Sequence, residues 1–142
     1  MSSTVNPSAP RPLSTSPQSL LAFDFGTRRI GVATGNGFLK SAEPLRHLAQ
    51  QGEARFVAIA ALIKEWQPEA LVIGVPRHPD GAEHEMTLAA RKFGRQLKSR
   101  FRLPVYEVDE RYTSVEAEAA GARDVDSAAA ALILEQFFRE HS

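Results

Sequence analysis

The chain of 142 residues contains no cysteine. That absence removes any disulfide framework and any zinc site built on thiolates. It suits a reducing compartment without excluding an exported protein. No apolar run approaches the roughly 18 residues that a bilayer-spanning helix needs. The first residues hold Arg11 as their only charged side chain and no apolar stretch, so they do not read as a secretory signal. A cytoplasmic protein without membrane contact is expected. A surplus of one charge is also missing: 17 Lys and Arg balance 17 Asp and Glu. A strongly basic chain would point directly to a polyanion. With no such surplus, the placement of the charges decides.

A hydrophobic content of 43% is enough for a core in one domain of this length. Residues 1–19 hold four of the nine prolines and many serines. With little to bury, they are expected to form a disordered tail. A single domain is expected over residues 20–142. Residues 20–23 are a short apolar run that closes on Asp24, and residues 30–34 form a second, near enough to pair as a hairpin. A third strand is expected over 38–42, stopped by Pro44. Residues 53–66 read as a helix, with Phe56, Ala60, Ile63 and Trp66 at helical spacing and Pro68 as its stop. Residues 71–75 are fully apolar, as a strand inside a parallel sheet would be. A helix over 83–101 follows, with Met86, Ala90, Phe93, Leu97 and Phe101 on one face. Next come a strand over 105–108, a short helical stretch over 114–120 and a final helix over 126–140. A meander followed by alternating helices and strands implies an α/β fold: a mixed sheet with helices on both faces. Right-handed crossovers bring the ends of the first, fourth and fifth strands to one edge.

That edge collects acids. Asp24 closes the first strand, and Asp109 and Glu110 close the last. Asp126 opens the final helix in line with Ala130, Ile133 and Phe137, on an inward face where a carboxylate is unexpected. Each has an ordinary alternative. Asp24 suits a turn, Asp109 and Glu110 could pair with Arg111, and Asp126 could cap its helix. Thr113 and Ser114 read as caps of the stretch that follows, and His78 as a surface histidine in the edge loop. Together, however, several carboxylates at one edge would repel each other. A divalent cation removes that cost, and an all-oxygen donor set favours Mg2+ or Mn2+ over zinc. Two such ions about 4 Å apart could clamp the water and the leaving oxygen of a phosphodiester, with no serine or histidine nucleophile. Six basic residues and no acid lie between Arg91 and Arg102. Arg91, Arg95, Lys98 and Arg102 form a stripe that could track phosphates or could simply be a solvated helix face. Arg28 and Arg29, just after the Asp24 turn, are better placed to hold a phosphate.

Five segments, LLAFDFGTRRIGVATG, LVIGVPRHPDG, MTLAARKFGRQL, YEVDERYTSVEA and VDSAAAALILEQF, occur in that order and span nearly everything after the tail. On them the chain resembles the YqgF/RuvX family, which has been linked to Holliday-junction resolution and to processing of pre-16S ribosomal RNA. The resemblance implies an RNase H-like fold with a mixed five-stranded sheet. It also implies a metal-binding catalytic set at Asp24, Asp109, Glu110 and Asp126, with strand alternation letting only one of Asp109 and Glu110 face the metal. A substrate-facing role is implied for the loop from Pro76 to Gly81. Pro76 and Arg77 thus join Arg28, Arg29, Arg91, Arg95 and Arg111 as expected substrate contacts. The chain departs from the family in its short segment from Ala120 to Asp124, where relatives carry a longer Gly- and Lys-containing loop. That leaves the substrate open and not the metal site; Asp124 itself is expected on the surface.

The implied activity is a Mg2+- or Mn2+-dependent endonuclease trimming the 5′ end of pre-16S ribosomal RNA, as a monomer or weak homodimer. RNA is favoured as the partner, and a DNA junction is the alternative. Two other readings remain: a Holliday-junction resolvase, which needs a dimer and for which Phe137 and Phe138 are the candidate surface, and a non-catalytic ribosome-assembly module. An actin-like or sugar-kinase ATPase needs a second domain that this chain is too short to supply, and the remaining protein-kinase signatures are missing.

Overall fold

The computed structural model describes residues 18–78, 80, 82–83, 85–110 and 125–141. Residues 1–17 of the expected tail, Arg111, Thr113, Ser114, the stretch over 114–120 and Asp124 lie outside the described residues. Gln18 and Ser19, also expected in the tail, are described, and Ser19 instead begins the first strand.

Three strands open the fold: β1 (Ser19–Phe25), β2 (Ile30–Asn36) and β3 (Ser41–Leu48). Helix α1 (Gly52–Trp66) leads to β4 (Ala70–Pro76), α2 (Glu85–Phe101) to β5 (Val105–Glu110), and α3 (Val125–Glu140) follows. The sheet order is β3-β2-β1-β4-β5. β1 is antiparallel to β2 and parallel to β4, and β4 is parallel to β5. The expected mixed five-stranded sheet is therefore present, and the ends of β1, β4 and β5 do share one edge.

Period-two alternation divides the strands between two cores. Leu21, Phe23, Leu71, Ile73 and Val75 pack with Ile59 and Leu62 of α1 and Phe93 and Leu97 of α2. Leu20, Ala22, Ala70, Val72 and Val108 pack with Ala130, Ile133, Leu134 and Phe137 of α3. Helices thus cover both faces. α1 and α2 are clipped by a two-pronged Arg100–Glu53 bond, at 2.7 and 2.9 Å, with the Arg100 guanidinium 4.0 Å above the Phe56 ring.

Two expectations are corrected. The third strand runs over Ser41–Leu48 and contains Pro44, which does not stop it. β3 is the edge strand, and Pro44 opposes Ala33 where the register shifts, so its missing N–H breaks no ladder. The buried stripe of α1 is Arg55, Ile59 and Leu62, and Ala60 and Trp66 are exposed. The rotation follows from Arg55, which turns inward to the β1–β2 turn. α1 ends as expected before Pro68, through Gln67 in a left-handed conformation (φ 46°) whose N–H donates to the Ile63 carbonyl.

Candidate functional site

Asp24 occupies the same face of β1 as Leu20 and Ala22, looking toward α3. Its partners across the ladders are glycines on both sides: Gly31 in β2 and Gly74 in β4. Both are needed for close approach. A Cβ on Gly74 would lie 2.9 Å from Glu110 Oε2 and would collide with Ile133. A Cβ on Gly31 would strike the Asp126 backbone carbonyl. The glycines therefore admit Glu110 from one flank and the first turn of α3, with Asp126, from the other. Sequence reading overlooked both. The available signal was a glycine inside an apolar strand, which marks a bulge or close backbone approach.

Glu110 ends β5 on the face of Tyr106 and Val108, and its carboxyl hydrogen-bonds that of Asp24. Burial pushes Asp24 up to about 6, with the nearby Asp126 charge adding to the rise and the bond to Glu110 opposing it. Burial likewise raises Glu110 to about 9, reinforced by the Asp24 charge and by the hydrogen bond between them. At neutral pH the pair therefore retains a proton that free carboxyls would have lost. Asp126 sits in the first turn of α3, where the helix dipole favours an anion. It pairs with Arg29, with Nε 2.9 Å from Oδ2.

Asp109 goes elsewhere. One step along β5, it faces away from Asp24 and accepts a 3.0 Å bond from Arg77 Nε. Of the Asp109–Glu110 pair, it is Glu110 that joins Asp24. Arg77 also lies 3.7 Å from Glu83, and Arg91 bridges Glu83 at 2.7 Å and Glu107 at 3.5 Å. Of the basic stripe, Arg95, Lys98 and Arg102 are exposed, but α2 covers the opposite sheet face from the carboxyls. The Pro76 carbonyl is taken by the Thr87 hydroxyl.

Arg28 and Arg29 stand exposed on the turn after Asp24, and that turn is fixed from α1. Buried Arg55 donates to the carbonyls of Thr27 at 3.1 Å and Gly26 at 3.4 Å, and Gln51 Nε2 donates to that of Arg28 at 2.6 Å. Desolvation lowers the Arg55 pKa, and three chain carbonyls compensate the buried charge. Arg55 was missed because a basic residue within an amphipathic helix ordinarily faces solvent.

The arrangement is a carboxyl pair forced together by the sheet, a third carboxylate at a helix N-terminus and two guanidinium groups on an adjoining rigid turn. Among the described residues no group of three or more acids or histidines is close enough together, as the side chains stand, to hold a metal ion. Oxygen donors beside guanidinium groups are chemistry that a hard cation and an anionic ester could both use.

A family described as RuvX, Holliday junction resolvase, matches residues 18–140. A protein of Albidiferax ferrireducens named "Putative pre-16S rRNA nuclease" is 62% identical over 122 residues, covering 86% of this chain and 78% of that protein. A Polaromonas sp. protein of the same name is 58% identical over 122 residues, covering 86% and 88%. T. thermophilus RuvC, solved with a Holliday junction substrate, aligns with TM-score 0.50 at 16% identity over 86% of this chain and 94% of that one, a likeness of fold. With an RNase H-like fold of the RuvC kind and a family match over almost its whole length, the chain belongs to the YqgF/RuvX family.

Proposed function

We propose that the chain is a divalent-metal-dependent endonuclease hydrolysing phosphodiester bonds, with the 5′ region of pre-16S ribosomal RNA as its substrate. The observation that carries the reading is the Asp24–Glu110 carboxyl pair, held in contact across Gly74. A fold gains nothing from forcing two partly buried acids together unless something positive lies between them in the working state. The names of the relatives supply the substrate class.

The donor set fits the cation. Asp24, Glu110 and Asp126 would hold Mg2+ or Mn2+, all through oxygen. When bound, the ion supplies Lewis-acid stabilisation of charge on the reacting phosphodiester. The remaining work falls to the chain. The Asp24–Glu110 pair would have to release its shared proton for both carboxylates to hold the ion. Arg28 and Arg29 take the phosphate on the side of the β1–β2 turn, and Arg55 and Gln51 keep that turn from moving. Asp109 serves to orient Arg77 beside the Pro76 loop, with Arg91 and Arg95 as more distant contacts for the strand and Arg111 as a further contact. The catalytic unit is residues 20–142. Among the described residues no helix is long and apolar enough to cross a membrane, and the reading places the protein in the cytoplasm with its RNA.

The test is cleavage of a precursor 16S 5′ transcript and of a four-way DNA junction, with and without Mg2+, beside Asp24→Asn and Glu110→Gln. Mg2+-dependent cutting of the transcript, lost in both variants, is expected. Cutting of the junction alone would shift the substrate to the one named in the family description. Equal cutting by wild type and variants would overturn the site.

A further inference from the structure

We propose that Arg29 holds Asp126 away from the carboxyl pair until a nucleic-acid phosphate takes the guanidinium, so that substrate binding completes the cation site. The proposal rests on the reading of Asp24, Glu110 and Asp126 as the cation-holding set.

The Asp126 charge is close enough to act on Asp24, yet its carboxylate is engaged by Arg29 at 2.9 Å. Neither backbone is free to move. The first turn of α3 lies against Gly31 with no room for a Cβ, and the turn bearing Arg29 is bound through its carbonyls by Arg55 and Gln51. Any exchange is therefore a rotation of two side chains. The Arg29 side chain is 59% exposed and that of Asp126 28%, so an incoming backbone meets the guanidinium first. Exposed ion pairs contribute little net stability, and a guanidinium offers a phosphate two parallel bonds. Phosphate can therefore replace Asp126 as the partner of Arg29, and Asp126 can rotate toward Asp24. Without substrate the third ligand is withheld, and the site binds its ion weakly.

Linkage makes this measurable: whatever nucleic acid does for cation affinity, the cation does for nucleic-acid affinity. Mn2+ binding is measured for the wild type, Arg29→Ala, Arg29→Lys and Arg28→Ala, alone and with a phosphorothioate oligoribonucleotide. Without oligonucleotide, Arg29→Ala is expected to bind Mn2+ about twofold to fivefold more tightly than the wild type, the factor that an exposed ion pair converts to. The oligonucleotide then tightens Mn2+ binding less in Arg29→Ala than in the wild type, by the same factor. Arg29→Lys keeps the charge and an ion pair with Asp126, so Mn2+ binding without oligonucleotide returns to the wild-type value. Its single ammonium gives up the two parallel phosphate bonds and leaves the oligonucleotide tightening smaller than in the wild type. Arg28→Ala removes the same charge from the same turn while leaving the ion pair in place. It weakens oligonucleotide binding through its own lost phosphate contact, but its Mn2+ affinity without oligonucleotide is expected to stay at the wild-type value. Equal tightening in Arg28→Ala would reduce the effect to general electrostatics and overturn the proposal. So would unchanged Mn2+ binding in Arg29→Ala. If Mn2+ bound none of the four, the reading of the carboxylates as a cation site would fail instead.

Discussion

The two faces of the sheet end differently at the same edge. Under α1 and α2 the strands finish in Phe25 and Val75, and Phe25, Phe23 and Phe56 lie 5.0, 6.0 and 6.1 Å from the Phe93 ring. Under α3 the same two strands finish in Asp24 and Gly74, and β5 adds Glu110. One face buries aromatic surface and gains stability from it. The other buries carboxyls and loses some. Because successive residues of a strand alternate sides, β1 contributes to both, and the stable face offsets what the acidic face costs.

Replacing residues on each face should separate the two contributions. The largest expected effect is on the aromatic face: Phe93→Ala leaves a cavity beneath three rings and should destabilise the protein by about 3–5 kcal/mol, read by urea denaturation. On the acidic face, Glu110→Gln should lower cleavage by at least about 10²-fold, while Asp109→Asn, one residue away, stays within about threefold. That contrast fails if the two variants lose activity together. Gly74→Ala is the intermediate case. Its methyl group meets Glu110 and Ile133, so it should lower activity by about 10–100-fold through displacement of the carboxylate and cost about 1–3 kcal/mol of stability.

The smallest effect concerns pH. Asp24 and Glu110 both titrate above the usual carboxylate range. Between that range and about pH 9 the metal-free native state therefore holds protons that the unfolded chain has released. Its stability accordingly falls as pH rises through this window. Asp24→Asn removes the repulsion, so it should flatten the slope and raise metal-free stability at pH 8 by on the order of 1–3 kcal/mol, although it abolishes cleavage. Saturating Mg2+ should stabilise the wild type at that pH and not the variant. An Asp24→Asn protein less stable than the wild type at pH 8 would contradict the account.

Much of this was legible in the residues. Asp24 and Asp126 interrupted apolar patterns whose periods were clear, and the order of strands and helices set the parallel edge where they meet. The choice between Asp109 and Glu110 was not legible, because alternation says that neighbours part company and not which one faces the helix; the β4–β5 register supplies that. β3 was misplaced because a proline within a strand is a stop only where the ladder needs its N–H. Gly31 and Gly74 carried only the general signal of a glycine within a strand, and Arg55 none, for a shared reason. Each matters through the space or the carbonyls of a segment distant in sequence, and a local pattern carries no record of what will be packed against it.

The ladders of β1, β2 and β3 join neighbouring stretches of chain and close short loops, although the α3-facing residues Leu20, Ala22 and Ala33 are covered only by the last helix. The acidic cluster is assembled the other way, from the first strand, the last strand and the last helix. On a growing polypeptide Asp24 is therefore made long before Glu110 and Asp126, and the mutual repulsion of the three acids is imposed only once β5 and α3 have been delivered.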